Sequence, residues 1–264
     1  MSYIIYVYDF IIIYIMSLFG IICNPNPNIK KNIYISFTTI PSRSKNIIFT
    51  INSILKQTII PNKIFITISK NNFREQNINY EIPEAIQNHK LIEIIVLEKD
   101  NGPINKLYGG LLNCNEDEDI IITVDDDSIY NRHMIETIYN YSKKNNTQVI
   151  GTIGRIDYES KIFGYNYDKP INVKLLEGYG GIGYRKKFLN LQDINTNGLN
   201  EEIILNDDIY ISYILGKKNI DLIMIPSKIK EPITHSIFTE KTNPLWKCNE
   251  NGVFNKCLKT LKLN

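Results

Sequence analysis

The stretch Asp119-Ile-Ile-Ile-Thr-Val-Asp-Asp-Asp127 decides how this chain is read. Its β-branched run is short and nearly all apolar, which predicts a buried strand over 119–124. Three acids then fall at the carboxyl end of that strand. Adjacent carboxylates in such a place repel one another, and a divalent cation is the natural group to offset them. Oxygen ligands of this hardness suit Mg2+ or Mn2+, ions that usually bind substrate phosphates as well. The plain alternative is a solvated acidic turn.

Working outward toward the N-terminus, Ile33 to Phe37, Lys63 to Ser69 and Leu91 to Leu97 read as three earlier strands. Between them, Lys45 to Lys56 carries Ile47, Ile48, Ile51, Ile54 and Leu55 at amphipathic helical spacing, and Pro83 opens a short helix at Glu84 to Asn88. A helical stretch follows Gly102-Pro103, and another covers Met134 to Tyr141. Strands that alternate with helices predict an α/β fold with a mostly parallel central sheet flanked by helices. Ligands of such sheets bind at the carboxyl ends of the strands. The loop after Phe37, the loop from Asp100 and the acids Asp125 to Asp127 all lie at such ends.

Toward the C-terminus the pattern is less regular. Gln148 to Gly154, Lys161 to Tyr167 and Asp221 to Ile225 read as strands, Leu175 to Tyr184 as a glycine-rich loop, and Asp207 to Leu215 as a helix stopped by Gly216. Asp207 and Asp208 open that helix, where the dipole favours acids and where one of them could also act as a general base. Lys106 and Arg43 are candidates to neutralise phosphate. Gly180 and Gly181 lie in the loop that would shape an acceptor pocket, and Trp246, the only tryptophan, could stack on a sugar. His235 gains interest only because a metal is already indicated.

Composition bounds the remaining choices. The chain has 264 residues, 43% apolar and 22% charged, as expected of a globular protein. Thirty basic and 28 acidic side chains give a net charge of +2, too balanced for a nucleic-acid partner. Cys23, Cys114, Cys248 and Cys257 form no CxxC pair; Cys248 and Cys257 are near enough in sequence for a small disulfide, and four free thiols are the alternative. Ser2 to Ile22 is strongly apolar with one charge, Asp9, and suits either a membrane span or a helix packed on the domain. Lys30 and Lys31 follow it, and no basic residue precedes it. A spanning helix with those flanks would keep the bulk cytoplasmic, so the expected location is membrane-associated or cytoplasmic, and a luminal one, which would show the opposite bias, stays open.

Taken in order, four segments resemble the GT-A glycosyltransferases, especially glycosyltransferase family two. Thr38-Thr-Ile-Pro-Ser-Arg43 is similar to the first-strand loop that contacts the nucleotide, through Thr38, Thr39, Pro41 and Arg43. Asp100-Asn-Gly-Pro-Ile-Asn-Lys106 is similar to the segment near the base and diphosphate, through Asp100, Gly102, Pro103 and Lys106. Asp125-Asp-Asp127 resembles the DxD motif, whose acids bind metal and nucleotide-sugar, and Asn206-Asp-Asp-Ile-Tyr-Ile211 resembles the acidic pair whose second member is the usual base. His235 is similar in position to a late histidine that completes the metal site in some members. Family members often carry Glu-Asp where this chain has Asp207-Asp208, and the region after Leu175 matches loosely.

The resemblance implies an inverting, hexosyltransferase-like enzyme. Mn2+ or Mg2+ would sit on Asp125, Asp127 and His235, a nucleotide-diphosphate sugar would be held in part by Asp125 and Asp126, and Asp208, or Asp207, would be the base. The acceptor would be a glycan, protein or lipid. The implied organisation is a hydrophobic segment and linker over 1–28, the glycosyltransferase domain over 29–240, and a tail over 241–264. Two other classes fit parts of the pattern: a haloacid-dehalogenase-like Mg2+ phosphatase, whose Asp-x-Asp strand comes first in its domain, and an inactive nucleotide- or sugar-binding relative.

Overall fold

The computed structural model describes residues 2–25, 28–227, 232–234 and 252–263. Its helices are α1 (Ser2–Leu18), α2 (Ile47–Leu55), α3 (Glu84–Gln87), α4 (Asn105–Asn113), α5 (Met134–Lys144), α6 (Glu201–Ile204), α7 (Asp207–Lys217) and α8 (Val253–Thr260). The strands of the first half are β1 (Ile29–Thr38), β2 (Ile60–Asn71), β3 (Ile92–Lys99), β4 (Ile120–Thr123) and β5 (Ser128–Ile129). Those of the second half are β6 (Gln148–Gly151), β7 (Ile153–Arg155), β8 (Lys161–Phe163), β9 (Ile171–Asn172), β10 (Leu175–Leu176), β11 (Ile182–Arg185), β12 (Asp221–Met224) and β13 (Ile233–Thr234).

Eight strands form the main sheet in the order β3-β2-β1-β4-β11-β6-β12-β9. Strands β3, β2, β1 and β4 run parallel, as do β6 and β12, while β11 and β9 are antiparallel to their neighbours. The order 3-2-1-4 reverses direction at β1, so a crevice opens at the carboxyl ends of β1 and β4. All four residues of β4 are buried, as its apolar run requires of a strand covered on both faces. Side chains alternate along β1. Ile33, Ile35 and Phe37 join the core beneath α1, α2 and α5, while Tyr34 faces the second core with α4 and α7.

Several expectations are corrected. Ile182 to Arg185 is a central strand rather than loop, because it finds partners on both sides, β4 and β6. The strand expected over 148–154 breaks at Thr152, and its second half turns into a separate three-stranded sheet, β10-β7-β8. Lys161 to Tyr167 is a strand only to Phe163 and then a 3-10 turn. Gly216 does not stop α7. The helix ends one residue later, at Lys217, with Asn219 at φ 56° and N–H groups of Asn219 and Ile220 donated to the carbonyls of Gly216 and Leu215. Asp119, the first residue of the stretch predicted as a strand, precedes β4, is buried and accepts the Glu116 N–H.

Helix α2 is buried on every side, because α1 lies over the face that an amphipathic helix would turn to water. The polar side chains of α2 are therefore paired. Asn52 donates to Ser17 Oγ at 3.0 Å and to the Ile21 carbonyl at 2.9 Å, and its Oδ1 accepts the Cys23 N–H at 2.6 Å. Asp9 on α1 pairs with Arg132 at 3.2 Å. Of the two readings of the N-terminal run, the packed helix is the one seen; among the described residues no helix is long and apolar enough to cross a membrane. Cys23, Cys114 and Cys257 are buried free thiols, and Cys248 lies outside the described residues.

Candidate active site

The crevice collects five carboxylates, Asp125, Asp126 and Asp127 after β4 and Asp207 and Asp208 at the start of α7, around two cations. Arg43, on the 3-10 turn after β1, lies 2.8 Å from Asp126 and 3.2 Å from Asp127. Lys106, on the first turn of α4, lies 3.0 Å from Asp125, 3.0 Å from Asp207 and 3.7 Å from Asp208. Two acid clusters about eighty positions apart thus share one buried ammonium. Asp207 Oδ2 and Asp208 Oδ1, both buried, face Lys106 Nζ without a well-directed hydrogen bond.

Burial works against charge on Lys106, but Asp125, Asp207 and Asp208 outweigh it and hold its pKa well above the usual lysine range. Arg43 is likewise held up by Asp126, Asp127 and Asp125 against its own desolvation. The carboxylates move the other way. Burial, with Asp126 and Asp125 adding to it, pushes Asp127 up to about 7 in spite of Arg43. Burial pushes Asp208 up to about 7, with Lys106 opposing and Asp207 and Asp125 adding, and Asp207 is raised for the same first reason.

Local structure fixes each group. Thr39 donates to Asp126 Oδ2 at 2.6 Å, and the Asp125 N–H donates to the buried Tyr130 hydroxyl at 2.8 Å. Thr50 of α2 bridges the carbonyls of Asp126 and Ser128. Thr38 donates to the Thr67 carbonyl within the sheet, and Pro41 is the buried first residue of the turn that carries Arg43. Asp100 braces its own loop, accepting from the Gly102 N–H, Asn105 and the Phe73 N–H. Gly102, at φ 79°, and Pro103 are buried and lead into α4.

The glycine-rich segment approaches this centre through Gly178, whose N–H donates to Asp208 Oδ2 at 2.8 Å. Gly180 and Gly181 face the core instead, against Thr152 and Ile153 and against Met134 and Ile138 respectively. Sequence reasoning placed Gly178 only in a loop and not on Asp208, and it missed Tyr130 and Glu75, which binds the Ser42 N–H and hydroxyl. Only Gly178 carried a signal, as the first glycine of Glu-Gly-Tyr-Gly-Gly. His235 and Trp246 lie outside the described residues. The strand before His235 does return to the site, for β13 pairs with β5 and sets Thr234 opposite Ser128.

Comparison with known proteins gives this open, mostly parallel sheet with acids at its switch point a family. The chain belongs to glycosyl transferase family 2, whose profile matches residues 39–208, and it has the GT-A fold. A search among curated proteins finds no match. Three solved structures share the fold, each with a TM-score of 0.51. GalNAc-T7, crystallised with UDP, GalNAc and Mn2+, is 11% identical over 88% of this chain and 50% of its own. The mannosyltransferase PcManGT of Pyrobaculum calidifontis, in complex with GDP-Man and Mn2+, is 10% identical over 96% of this chain and 78% of its own. S. aureus TarS 1-349 is 16% identical over 77% of this chain and 59% of its own. The chain therefore spans half of the first of these and under two thirds of the third. The phosphatase alternative falls with the family match, and its acid-bearing strand would also have to come first, whereas three strands precede β4.

Proposed function

We propose that the chain transfers a sugar from a nucleotide-diphosphate sugar to a hydroxyl of a glycan, protein or lipid acceptor, with inversion at the anomeric carbon. The observation that carries this reading is the meeting of the two acid clusters at Lys106, which sets the acids after β4 beside those of α7. Thr38, Thr39, Pro41 and Arg43 on one side, and Asp100, Gly102, Pro103 and Lys106 on the other, flank the nucleotide.

Among the described residues no three acids, cysteines or histidines form a ready metal-holding group. Mg2+ and Mn2+ do not require one, since one or two carboxylates plus substrate phosphates suffice. The surplus of carboxylate over cation, five acids around Arg43 and Lys106, fits such an ion. Asp125 and Asp127 would hold it, with His235 as the third group, and bound there it would supply positive charge for the leaving diphosphate.

The chain's own groups do the rest. Asp208 keeps about a quarter of its side chain exposed, 27%, with Oδ2 held by the Gly178 N–H and Oδ1 buried 3.7 Å from Lys106, and this carboxylate would take the proton of the acceptor hydroxyl. As that proton leaves, the acceptor oxygen bonds to the anomeric carbon from the face opposite the diphosphate, and the bond from that carbon to the diphosphate oxygen breaks. Lys106 and Arg43 stabilise the charge that develops. The backbone contact from Gly178 is tight: a methyl there would lie 2.7 Å from Lys106 Nζ and 2.9 Å from Asp208 Oδ1. Gly178→Ala is expected to shift the carboxylate and lower transfer by about a hundredfold while the fold persists. A transfer assay beside a melting curve checks it, and a wild-type rate would free Asp208 from this role.

The experiment that tests the whole reading is a thermal-shift screen of nucleoside diphosphates with and without Mn2+. One nucleotide at a hundred times its Kd should raise the melting temperature by roughly 5–10 °C, with metal only, and Asp127→Ala should abolish the shift. No shift with any nucleotide and metal would overturn the reading.

A further inference from the structure

The peptide that joins Glu177 to Gly178 carries the N–H that holds Asp208 Oδ2, at 2.8 Å. Three of the next four residues are glycines, which restrain the backbone little, and Gly181 among them sits at φ 86°. The aim of that N–H is therefore set from the Glu177 side. The Glu177 N–H donates to the Ile153 carbonyl at 3.0 Å, and the Glu177 carbonyl accepts the Gly180 N–H at 3.2 Å. The buried side chain is gripped by two cations, Oε1 by Arg155 Nε and Oε2 by Lys161 Nζ.

This clamp is built across three strands. Arg155 of β7 and Lys161 of β8 are register partners, so without an acid between them two like charges would face each other. Leu175 of β10 pairs with Arg155 on the other side, and Glu177, two residues on, reaches both cations. Arg155 is fixed in its turn. Its Nη1 donates to the carbonyls of Tyr158 at 3.0 Å and Glu159 at 3.2 Å, and its guanidinium lies 5.0 Å from the centre of the Phe254 ring on α8. Lys161 lies 4.9 Å from the ring centre of Tyr179, the residue after Gly178.

We propose that Glu177 is a positioning residue for Asp208: clamped by Arg155 and Lys161, it keeps the Gly178 N–H aimed at Oδ2 and so holds the carboxylate in line with the acceptor hydroxyl. The proposal rests on the reading of Asp208 as the base. Glu177 touches no reacting atom, and loosening it costs alignment rather than donor binding. Through Phe254, a helix that lies beyond the family match steadies the same clamp.

The test is a cycle of turnover numbers on the full chain, with a melting curve for each protein: wild type, Glu177→Gln, Asp208→Asn and the double variant. Glutamine still accepts from Arg155 Nε but gives up the ion pair with Lys161, which is a third exposed and can turn to water. Glu177→Gln is expected to lower kcat about tenfold with the KM for donor within about twofold of wild type. In the Asp208→Asn background the same substitution should change the residual rate less than about twofold, because the basic oxygen it aims is gone. A tenfold loss in both backgrounds assigns Glu177 to the fold alone and overturns the proposal, as does an unchanged kcat in the single variant. A near-normal rate of Asp208→Asn overturns the base assignment itself, and this proposal with it. Arg155→Lys, which keeps the charge and loses the planar fork, runs the same cycle if Glu177→Gln melts below the assay temperature.

Discussion

Asp208→Asn is expected to lower turnover by about a thousandfold and to leave metal-dependent nucleotide binding within about twofold of wild type. The asparagine still accepts the Gly178 N–H through its carbonyl oxygen, so the geometry at Oδ2 survives while the basic oxygen is lost. The wild-type rate should carry the same signature in its pH profile. Burial holds Asp208 near 7, so the base is largely protonated at pH 6, and the rate should rise about tenfold per pH unit below that value before levelling above it. Transfer measured as release of nucleoside diphosphate, between pH 5.5 and 8.5, decides the matter. A profile flat across that range, or an asparagine variant of near-normal rate, would move the base to Asp207 or elsewhere.

Lys106→Met should destabilise the fold by about 3–5 kcal/mol at pH 8, because it strands buried carboxylates without their shared cation. The loss should depend on pH with a definite sign. Without the ammonium, the folded-state pKa values of Asp207 and Asp208 rise further above their unfolded values. A carboxylate with a raised folded pKa favours the fold fully below its unfolded pKa, and that stability is lost as pH rises through the folded value. The deficit of the variant relative to wild type should therefore be largest at pH 8 and shrink toward pH 5. Urea unfolding of both proteins at the two pH values measures it. Equal deficits would mean that Lys106 contributes packing rather than charge.

Much of this site could be read from the chain alone, for a physical reason. Strands β1 to β4 and the helices between them are local objects whose periods are written in consecutive residues, and their order places Thr39, Arg43, Lys106 and Asp125 at one sheet edge. What failed was whatever depends on a distant partner. Gly183 and its neighbours read as loop because glycine interrupts a strand pattern, yet β4 and β6 supply ladders on both sides. Nothing near Asp208 in sequence announces Gly178, thirty residues earlier. The amphipathic pattern of α2 pointed one face to water, and only a helix on the far side of its turn could bury it. Gly180 and Gly181 were legible as flexible backbone, but not as the half of their loop that turns toward the core.

The seat that Asn52 provides for the N-terminal helix also sets an order of events during synthesis. Asn52 follows Ser17 by 35 positions, so α1 leaves the ribosome well before the asparagine that will hold it. At 5–20 residues per second that interval is about 2–7 s, during which both faces of an apolar helix are uncovered. A nascent chain of this kind is a substrate for whatever binds apolar helices at the exit tunnel, and the emergence of α2 is the moment at which one face is withdrawn from that competition.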